Sequence, residues 1–298
     1  DVTYVKPGDH VSASFIPSCG RCRFCSTGRQ NLCDAGAGAM QTGMITDGVC
    51  RHFLDGGPIK LMAKVGTFSE YAAVAEASVI KVDDDLPLDV VALVSCGVAT
   101  GWGSATHRAD VRPGDTVVVV GIGGIGINAV QGAAMAGAKR VIAVDPVEFK
   151  REKAMEFGAT HTFASMADAM PAIAELTWGQ MAHKVIMTPG VLYGEMMQLG
   201  TAMAGKGGTI VVTGLAPMAQ TESSVNLFEL AMWNKEIKGT IFGSLNPRHD
   251  IPNLLGMYRE GTLKLDELIT RRYTLDQINE GYQAMRNGEN IRGVIMYD

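Results

Sequence analysis

Four of the six cysteines lie within fifteen positions of one another: Cys19, Cys22, Cys25 and Cys33. Two-residue spacers are too tight for relaxed disulfides between neighbours, but they allow four thiolates to converge on one tetrahedral ion. We therefore predict a structural zinc site, with an iron–sulfur cluster or two disulfides as the alternatives. Four protein ligands leave no open coordination position, so this metal would hold a loop together and take no part in chemistry. Arg21, Arg23 and Arg29 lie where they could offset the negative charge of a zinc tetrathiolate.

A glycine-rich stretch, called the dinucleotide loop below, has the pattern G-x-G-x-x-G: Gly121, Ile122, Gly123, Gly124, Ile125 and Gly126. Alone the pattern is weak, because the chain contains 36 glycines. Here it follows a run of four valines at 117–120 and opens a helix of small residues. Gly121 would make the tight turn, Gly123 would admit a pyrophosphate, and Gly126 would let helix and strand pack closely. The stretch predicts a dinucleotide site, with phosphates held at a helix N-terminus.

An acidic residue follows at the distance that such a site requires. Asp145 ends the next expected strand, 19 residues after Gly126. A carboxylate there would accept hydrogen bonds from the adenosine ribose hydroxyls, and it would repel a 2′-phosphate, so NAD is favoured over NADP. The alternative is a simple helix N-cap, because Pro146 follows at a favoured first helical position.

Composition and charge exclude several classes of function. The 298 residues suffice for two domains, and a net charge of −5 with a pI near 5.7 argues against nucleic-acid binding. Residues 116–138 are all uncharged, but six glycines and a β-branched start favour a strand, turn and helix over a membrane span. No targeting segment is visible, and cysteines without an export signal favour a reducing cytoplasm. The chain opens without Met on an apparent inter-strand turn at 6–11, so we expect an N-terminal portion to be missing.

The elements that would carry these residues change in character along the chain. Residues 1 to about 97 indicate short strands and loops, with strands expected at 11–16, 68–74 and 78–82. From about 98 to 241 strands and helices alternate, which predicts an α/β fold with a doubly wound parallel sheet. Gly158 stands where the first of these helices needs a C-terminal cap. Strands are expected at 117–120, 141–144, 185–187 and 210–213, and helices near 148–157 and 192–204.

The pattern becomes mixed again after residue 242. Pro247 precedes an expected helix near 249–260, which Gly261 would end, and a short strand is expected at 263–265. Thr274 and Gln277 form a capping-box pattern for a last helix near 275–286. A closing strand is expected at 292–297.

The cysteines, the dinucleotide loop and their 88-residue separation together resemble the zinc-dependent medium-chain alcohol dehydrogenases, over nearly the whole chain. Residues 94–103 (VSCGVATGWG), 66–71 (GTFSEY) and 290–295 (NIRGVI) have counterparts in that family. The resemblance implies a GroES-like, mostly β catalytic domain formed by 1–97 and 242–298, which includes the cysteine lobe (residues 19–33). It also implies a Rossmann NAD-binding domain at 98–241.

A narrower resemblance is to the nitrosoaniline-dependent alcohol dehydrogenases of actinobacteria. It is carried by residues 144–151 (VDPVEFKR), 175–180 (ELTWGQ) and 241–247 (IFGSLNP). In that subfamily NAD is held tightly and reoxidised in place, with a mycofactocin-type electron carrier. The resemblance implies the same for this chain. The wider family resemblance implies primary or aromatic alcohols and aldehydes as substrates. It also implies homo-oligomers paired through the edge strand of the cofactor domain.

The family resemblance also implies roles for individual residues. Cys96 would be a ligand of a catalytic zinc, although a lone Cys in an apolar stretch is more often a buried small hydrophobe. Lys150 would contact the adenosine ribose, and the alternative is that it lies on a solvated helix face. Arg292 would contact the pyrophosphate, and the alternative is an exposed charge at a strand edge. Phe68 would line the substrate pocket or belong to the core. Contacts to the nicotinamide half are implied for Thr100, Thr188, Gly214, Leu215, Ile241 and Phe242.

Some groups that the family uses are not found in this chain. An open catalytic zinc needs three protein ligands, and the other two, a Cys and a His, are expected upstream of residue 1. None of the six histidines has a matching context, and Cys50 has no partner in the sequence. His183-Lys184 replaces the usual acidic residue, which predicts a local change in loop packing. The leading hypothesis is an NAD-dependent, zinc-dependent alcohol dehydrogenase, and the alternative is a protein that binds NAD and zinc without catalysis.

Overall fold

The computed structural model describes residues 2–36 and 45–297, which form two compact units. The first unit comprises Asp1–Ala99 together with Leu245–Asp298, and the second comprises Thr100–Ser244. Among the described residues no single helix is long and apolar enough to cross a membrane; one pair bent by 46°, Leu88–Val94 with Gly97–Arg108, together has that length and apolarity.

The amino-terminal part of the first unit consists of short strands and turns. Strands β1 and β4 pair antiparallel, as do β2 and β3; their bounds are Val11–Ala13 (β1), Phe53–Leu54 (β2), Gly57–Pro58 (β3) and Val79–Lys81 (β4). Two helices follow, α1 (Leu88–Val94) and α2 (Gly97–Gly103), and the chain enters the second unit within α2. The strand expected at 68–74 is absent. Its aromatic residues suggested a strand, but Tyr71 is 88% exposed and Phe68 is 54% exposed, so no packed surface supports one.

The second unit contains a six-stranded sheet in which every pair of neighbours is parallel. The strands lie in the order β10-β9-β8-β5-β6-β7. Their bounds are Thr116–Val120 (β5), Arg140–Val144 (β6), His161–Phe163 (β7), Ala182–Met187 (β8), Ala204–Val212 (β9) and Glu236–Gly239 (β10). The four central strands were expected from their apolar runs. The two edge strands, β7 and β10, were not, because they are short and partly polar.

Burial explains the valine run of the central strand. All five residues of β5 are buried, and Val117, Val118 and Val119 have no exposed surface. One face packs into a core cluster with Ile142, Val185 and Ile210 of neighbouring strands and with Ile173 of helix α5. Helices α3 to α7 have the bounds Gly126–Met135, Glu148–Glu156, Met166–Leu176, Met196–Ala202 and Leu227–Met232. Gly158, one residue beyond the C-cap of α4, has φ +103°, as a left-handed cap requires.

The carboxy-terminal part returns to the first unit. Helix α8 (Pro247–Arg259) begins at Pro247 itself and α9 (Ile278–Arg286) follows a single 3₁₀ turn, while strands β11 (Ile269–Tyr273) and β12 (Arg292–Ile295) pair in parallel. The capping box of Thr274 and Gln277 is confirmed. The strand expected at 263–265 is wrong. Leu263 and Leu265 are buried without forming a strand. The strand lies at β11, which was not predicted because its two arginines interrupt the apolar pattern.

Candidate functional site

The cysteine lobe brings four sulfur atoms together. The Sγ atoms of Cys19, Cys22, Cys25 and Cys33 all lie within 4.8 Å of one another, and those of Cys19 and Cys25 are 3.9 Å apart. A tetrahedral zinc with Zn–S bonds of about 2.3 Å places its sulfur atoms about 3.8 Å apart. A disulfide requires about 2.05 Å, so the disulfide alternative does not fit this pair.

Backbone geometry and burial prepare the lobe for a cation. The N–H of Cys19 points at the Cys33 Sγ (3.4 Å) and the N–H of Cys25 at the Cys22 Sγ (3.5 Å). Backbone N–H groups, first that of Asp34, lower the pKa of Cys22 to about 6. Burial raises the pKa of Cys25 to about 12 and also raises that of Cys33. Four thiolates therefore need a bound cation to ionise together, which fits a metal site.

Two arginines of the lobe lie against an aromatic ring. The guanidinium of Arg23 lies 4.4 Å from the centroid of the Phe24 ring, and that of Arg29 lies 5.3 Å from it. Two hydrogen bonds attach the lobe to the start of α8: Gln30 N–H donates to Asn246 Oδ1 (2.8 Å) and Arg248 N–H donates to Gln30 Oε1 (3.4 Å). The lobe is thus fixed to the first unit independently of its sulfur atoms.

In the second unit, the three glycines of the dinucleotide loop meet different steric conditions. At Gly121, where φ is +90°, a Cβ would lie 2.7 Å from Pro189 Cα. At Gly126 a Cβ would lie 1.8 Å from the carbonyl oxygen of Gly121, so helix α3 and strand β5 approach as closely as glycine allows. At Gly123 a Cβ would meet nothing within 4 Å, which leaves open space beside the loop. Two of the glycines are required by packing, and the third faces a vacant volume.

Asp145 ties the end of β6 to the dinucleotide loop. It is 5% exposed; its Oδ2 accepts a hydrogen bond from Ile122 N–H (2.7 Å) and its Oδ1 one from Val147 N–H (2.9 Å). Helix α4 begins at Glu148 with Val147 as N-cap, so the N-cap alternative for Asp145 is wrong. Arg151, which the sequence analysis missed, donates to the carbonyl oxygens of Asp145 and Pro146, both at 2.8 Å.

The other candidate cofactor residues of the second unit follow the carboxyl ends of its strands. Thr188, after β8, donates its hydroxyl to the carbonyl oxygens of Val120 (3.0 Å) and Gly121 (2.8 Å). Gly214 and Leu215 come after β9, and Ile241 and Phe242 after β10; Leu215 is 74% exposed, whereas the Phe242 side chain is buried. Since parallel strands end at one edge of a sheet, the structure brings these positions to the edge that carries the loop.

Helix α2 packs directly against this edge through its second-unit residues. A Cβ at Gly101 would lie 2.0 Å from the carbonyl oxygen of Ile125. Thr100 is buried, and Ser104 donates to the Thr100 carbonyl (2.6 Å) and shares a hydrogen bond with Thr213 (3.0 Å between hydroxyl oxygens). No sequence motif indicated the Ser104–Thr213 pair. Lys150 is half-buried in the first turn of α4, and within the described chain no hydrogen bond or ion pair joins it to Asp145.

The first unit holds Cys96 and Arg292. Cys96 is exposed, so the interpretation as a buried small hydrophobe is wrong. The Nε of Arg292 is buried without a hydrogen-bond partner, and its Nη2 lies 1.4 Å from where a Cβ of Gly97 would be. Desolvation lowers the pKa of Arg292, while the nearby Cys96 opposes this shift. A guanidinium with an unsatisfied Nε is suited to bind an anion. Because this Nε is buried, the alternative of an exposed charge at a strand edge is wrong. Phe68 contacts Tyr282 edge-on at 6.0 Å and is not a core residue.

Comparisons with known proteins agree with this architecture. Residues 1–84 match the alcohol dehydrogenase GroES-like domain and residues 124–260 the zinc-binding dehydrogenase domain. The NDMA-dependent alcohol dehydrogenase of Amycolatopsis methanolica is 55% identical over 99% of this chain and 80% of its own length. Alcohol dehydrogenase B of Mycobacterium tuberculosis is 50% identical over 98% of this chain and 78% of its own. Benzyl alcohol dehydrogenase from Acinetobacter calcoaceticus superposes with a TM-score of 0.89 at 30% identity, over 99% of this chain and 80% of its own.

The fold, with its Rossmann sheet and GroES-like domain, and the cysteine cluster define a zinc-containing dehydrogenase. The chain belongs to the zinc-dependent alcohol dehydrogenase family. The expected likeness to its nitrosoaniline-dependent branch is confirmed by the identity with the A. methanolica enzyme.

Proposed function

We propose that this zinc-dependent alcohol dehydrogenase uses NAD and transfers hydride between an alcohol or aldehyde and its nicotinamide. The observation that carries the proposal is the open space beside Gly123, at the edge of the sheet where Asp145 directly follows β6. Gly123 would admit the pyrophosphate, and the remaining lone pairs of the Asp145 carboxylate would accept the ribose hydroxyls. The same carboxylate would repel a 2′-phosphate, which favours NAD over NADP.

The other residues have supporting roles in this proposal. Arg292 would pair with the pyrophosphate through its guanidinium, and Lys150 would meet the adenosine ribose. Thr188 holds the dinucleotide loop through its two hydrogen bonds. Thr100, Gly214, Leu215, Ile241 and Phe242 would border the nicotinamide half, Phe242 through its backbone, because its side chain is buried.

Two zinc ions would serve different purposes. The cysteine lobe presents four sulfur ligands and would hold a structural ion. Cys96, exposed just before helix α2, would contribute one thiolate to a catalytic ion, with two further protein ligands from elsewhere in the whole protein. When bound, that ion supplies Lewis-acid chemistry, which lowers the pKa of an alcohol hydroxyl. The exposure of Cys96 is what permits this role.

The likeness to the NDMA-dependent enzyme suggests how NAD is recycled. We infer that NAD stays bound and is reoxidised in place by an external electron carrier of the mycofactocin type. The support is the 55% identity to that enzyme. We further propose a cytoplasmic homo-oligomer, since β10 is an edge strand and α7 beside it exposes Leu227, Phe228 and Met232.

One experiment tests the assignment. Full-length protein is denatured, and its released nucleotide and zinc are quantified beside the turnover of Cys96→Ala. We expect stoichiometric NAD(H) and two zinc ions per chain, with Cys96→Ala losing turnover and about one zinc. Full activity in Cys96→Ala would reject the catalytic role of Cys96. Bound NAD and zinc with no turnover of any alcohol would support the alternative of a non-catalytic binding protein, and protein without nucleotide would reject a tightly held cofactor.

A further inference from the structure

Two adjoining cavities lie at the amino edge of the six-stranded sheet, at the opposite end of the strands from the dinucleotide loop. One, of about 510 Å³, is walled by Trp178, Met181 and Trp233, and the other, of about 370 Å³, by charged side chains. His183 and Lys206 line both, so the two cavities share these side chains as a common wall. Volumes of this size are typical of small-molecule sites. All of these residues belong to the second unit.

The aromatic wall is turned toward solvent on a loop that is held by hydrogen bonds. Trp178 is 82% exposed, although its loop is well fixed: Gly179 N–H donates to Ala174 O (2.7 Å) and Met181 N–H to Thr177 Oγ1 (2.9 Å). The φ angles of Trp178 and Met181 are +50° and +66°, a conformation that bulky residues rarely adopt. Such backbone strain gathers at functional sites. Of the nine non-glycine residues with positive φ in the described chain, four line these cavities: Asp110, Trp178, Met181 and Asn234.

The charged cavity has an excess of cations. Its lining contains four cations, Arg112, Lys184, Lys206 and Lys238, against three carboxylates, Asp110, Asp115 and Glu236. Arg112 is paired with Asp110 and Lys238 with Glu236, both at 2.7 Å. Lys184 lies near enough to these two carboxylates to help lower the pKa of each. Lys206 is exposed and takes part in no ion pair within residues 2–36 and 45–297. Lys206 is therefore an exposed cation that a ligand can reach.

His183 adds a hydrogen-bond donor at the junction. Its Nδ1 accepts a hydrogen bond from Thr116 N–H at 3.0 Å. An acceptor at Nδ1 places the proton of the neutral ring on Nε2. The exposed His183 therefore offers an N–H beside Lys206.

We propose that the two adjoining cavities together bind a small planar aromatic molecule that carries an anionic group. The ring lies against Trp178 and Trp233, which stack on flat partners, and the anion meets Lys206 and the Nε2–H of His183. Aromatic carboxylates and mononucleotides share this chemistry. Because the site is at the amino edge of the sheet, it binds its ligand independently of the cofactor.

Equilibrium dialysis of the full-length enzyme with 2-naphthoate and with AMP tests the proposal. We expect saturable binding, reported also by fluorescence, since two of the three tryptophans line the site. Saturating NAD should leave the affinity unchanged. The uncharged 2-naphthamide should bind about tenfold more weakly, the amount expected from loss of one charge-assisted contact. With the cofactor site filled by saturating NAD, preference for 2-naphthoate identifies an aromatic carboxylate as the ligand class, and preference for AMP identifies a mononucleotide.

Variants locate the binding. Trp178→Ala should weaken 2-naphthoate binding about tenfold, as stacking contacts require. Lys206→Gln should weaken it similarly without changing the affinity for 2-naphthamide. Tyr71→Ala, at a residue 88% exposed in the first unit, is the control and should change nothing. Absence of saturable binding, displacement by NAD, or unchanged affinity in both Trp178→Ala and Lys206→Gln would overturn the proposal.

Discussion

The cysteine lobe and the dinucleotide loop are both short irregular segments, but different atoms determine their shapes. In the lobe, four side-chain sulfur atoms within 4.8 Å of one another define the site. In the loop, the decisive feature is an absent side chain, since the carbonyl oxygen of Gly121 occupies the place of a Cβ on Gly126. The lobe is thus specified by the ligands that it presents, and the loop by the volume that it leaves empty.

The largest effect expected from this difference is at Gly126. Gly126→Ala places a methyl group 1.8 Å from the carbonyl oxygen of Gly121. Because that oxygen belongs to the backbone, the clash can be relieved only if β5 or α3 moves. We expect a loss of at least about 3 kcal/mol of unfolding free energy, measured by urea denaturation. Gly123→Ala is the matched variant, since its Cβ meets nothing within 4 Å. It should keep its stability and lose NAD affinity. Equal stability losses in the two variants would contradict the distinction.

Loss of a sulfur ligand should remove zinc from the lobe and leave NAD binding intact. Cys25→Ser removes one of the four clustered ligands, and we expect the purified protein to lose one zinc per chain, with an affinity more than about 100-fold lower. NAD binding by the second unit should persist, because the dinucleotide loop does not depend on the lobe. Metal analysis and nucleotide titration measure both outcomes, with Cys50→Ser as the control that retains zinc. Zinc retained in Cys25→Ser would refute the assignment of the lobe.

The smallest effect should come from a hydroxyl that holds the loop. Thr188→Val removes two hydrogen bonds to the carbonyl oxygens of Val120 and Gly121. We expect the free energy of unfolding to fall by about 1 kcal/mol and the affinity for NAD to fall a few-fold. Thr201→Val is matched, since Thr201 is equally buried and its hydroxyl donates within its own helix, to the carbonyl oxygens of Met197 (2.8 Å) and Gln198 (3.0 Å). It should affect thermal stability and leave the NAD dissociation constant unchanged. A similar loss of NAD affinity in both variants would show that the contact of Thr188 with the loop is unimportant.

Much of the second unit could be predicted because its central strands are buried on both faces. The runs at 117–120 and 141–144 are continuous apolar sequence, which is typical of parallel strands that are buried on both faces. At the sheet edges this relation fails, since β7 and β10 are partly solvated and their sequences carry polar residues. In the first unit, Leu263 and Leu265 show that buried apolar residues can lie outside any strand.

The candidate site likewise contains some residues that the sequence predicts and others that only the fold brings together. Spacing alone placed the four cysteines and Asp145, because metal ligands and the loop-to-acid distance are local in sequence. The hydrogen bond from Ile122 N–H to Asp145 could not be inferred, since it depends on how β5 and β6 stand side by side. The Ser104–Thr213 pair, 109 residues apart, was equally hidden. Only the fold brings such residues together.

The proposed contact of Asp145 with the ribose and its observed hydrogen bonds together constrain any attempt to engineer binding of NADP. Replacing the carboxylate by alanine would remove the repulsion of a 2′-phosphate, but it would also strand the buried N–H of Ile122. An unsatisfied buried donor costs about 1–3 kcal/mol. Asparagine removes the charge and keeps an acceptor oxygen for the N–H of Ile122, although its amide nitrogen then faces the N–H of Val147. A cofactor switch therefore has to start from a polar replacement, since the residue that we propose to select the nucleotide also hydrogen-bonds to the dinucleotide loop.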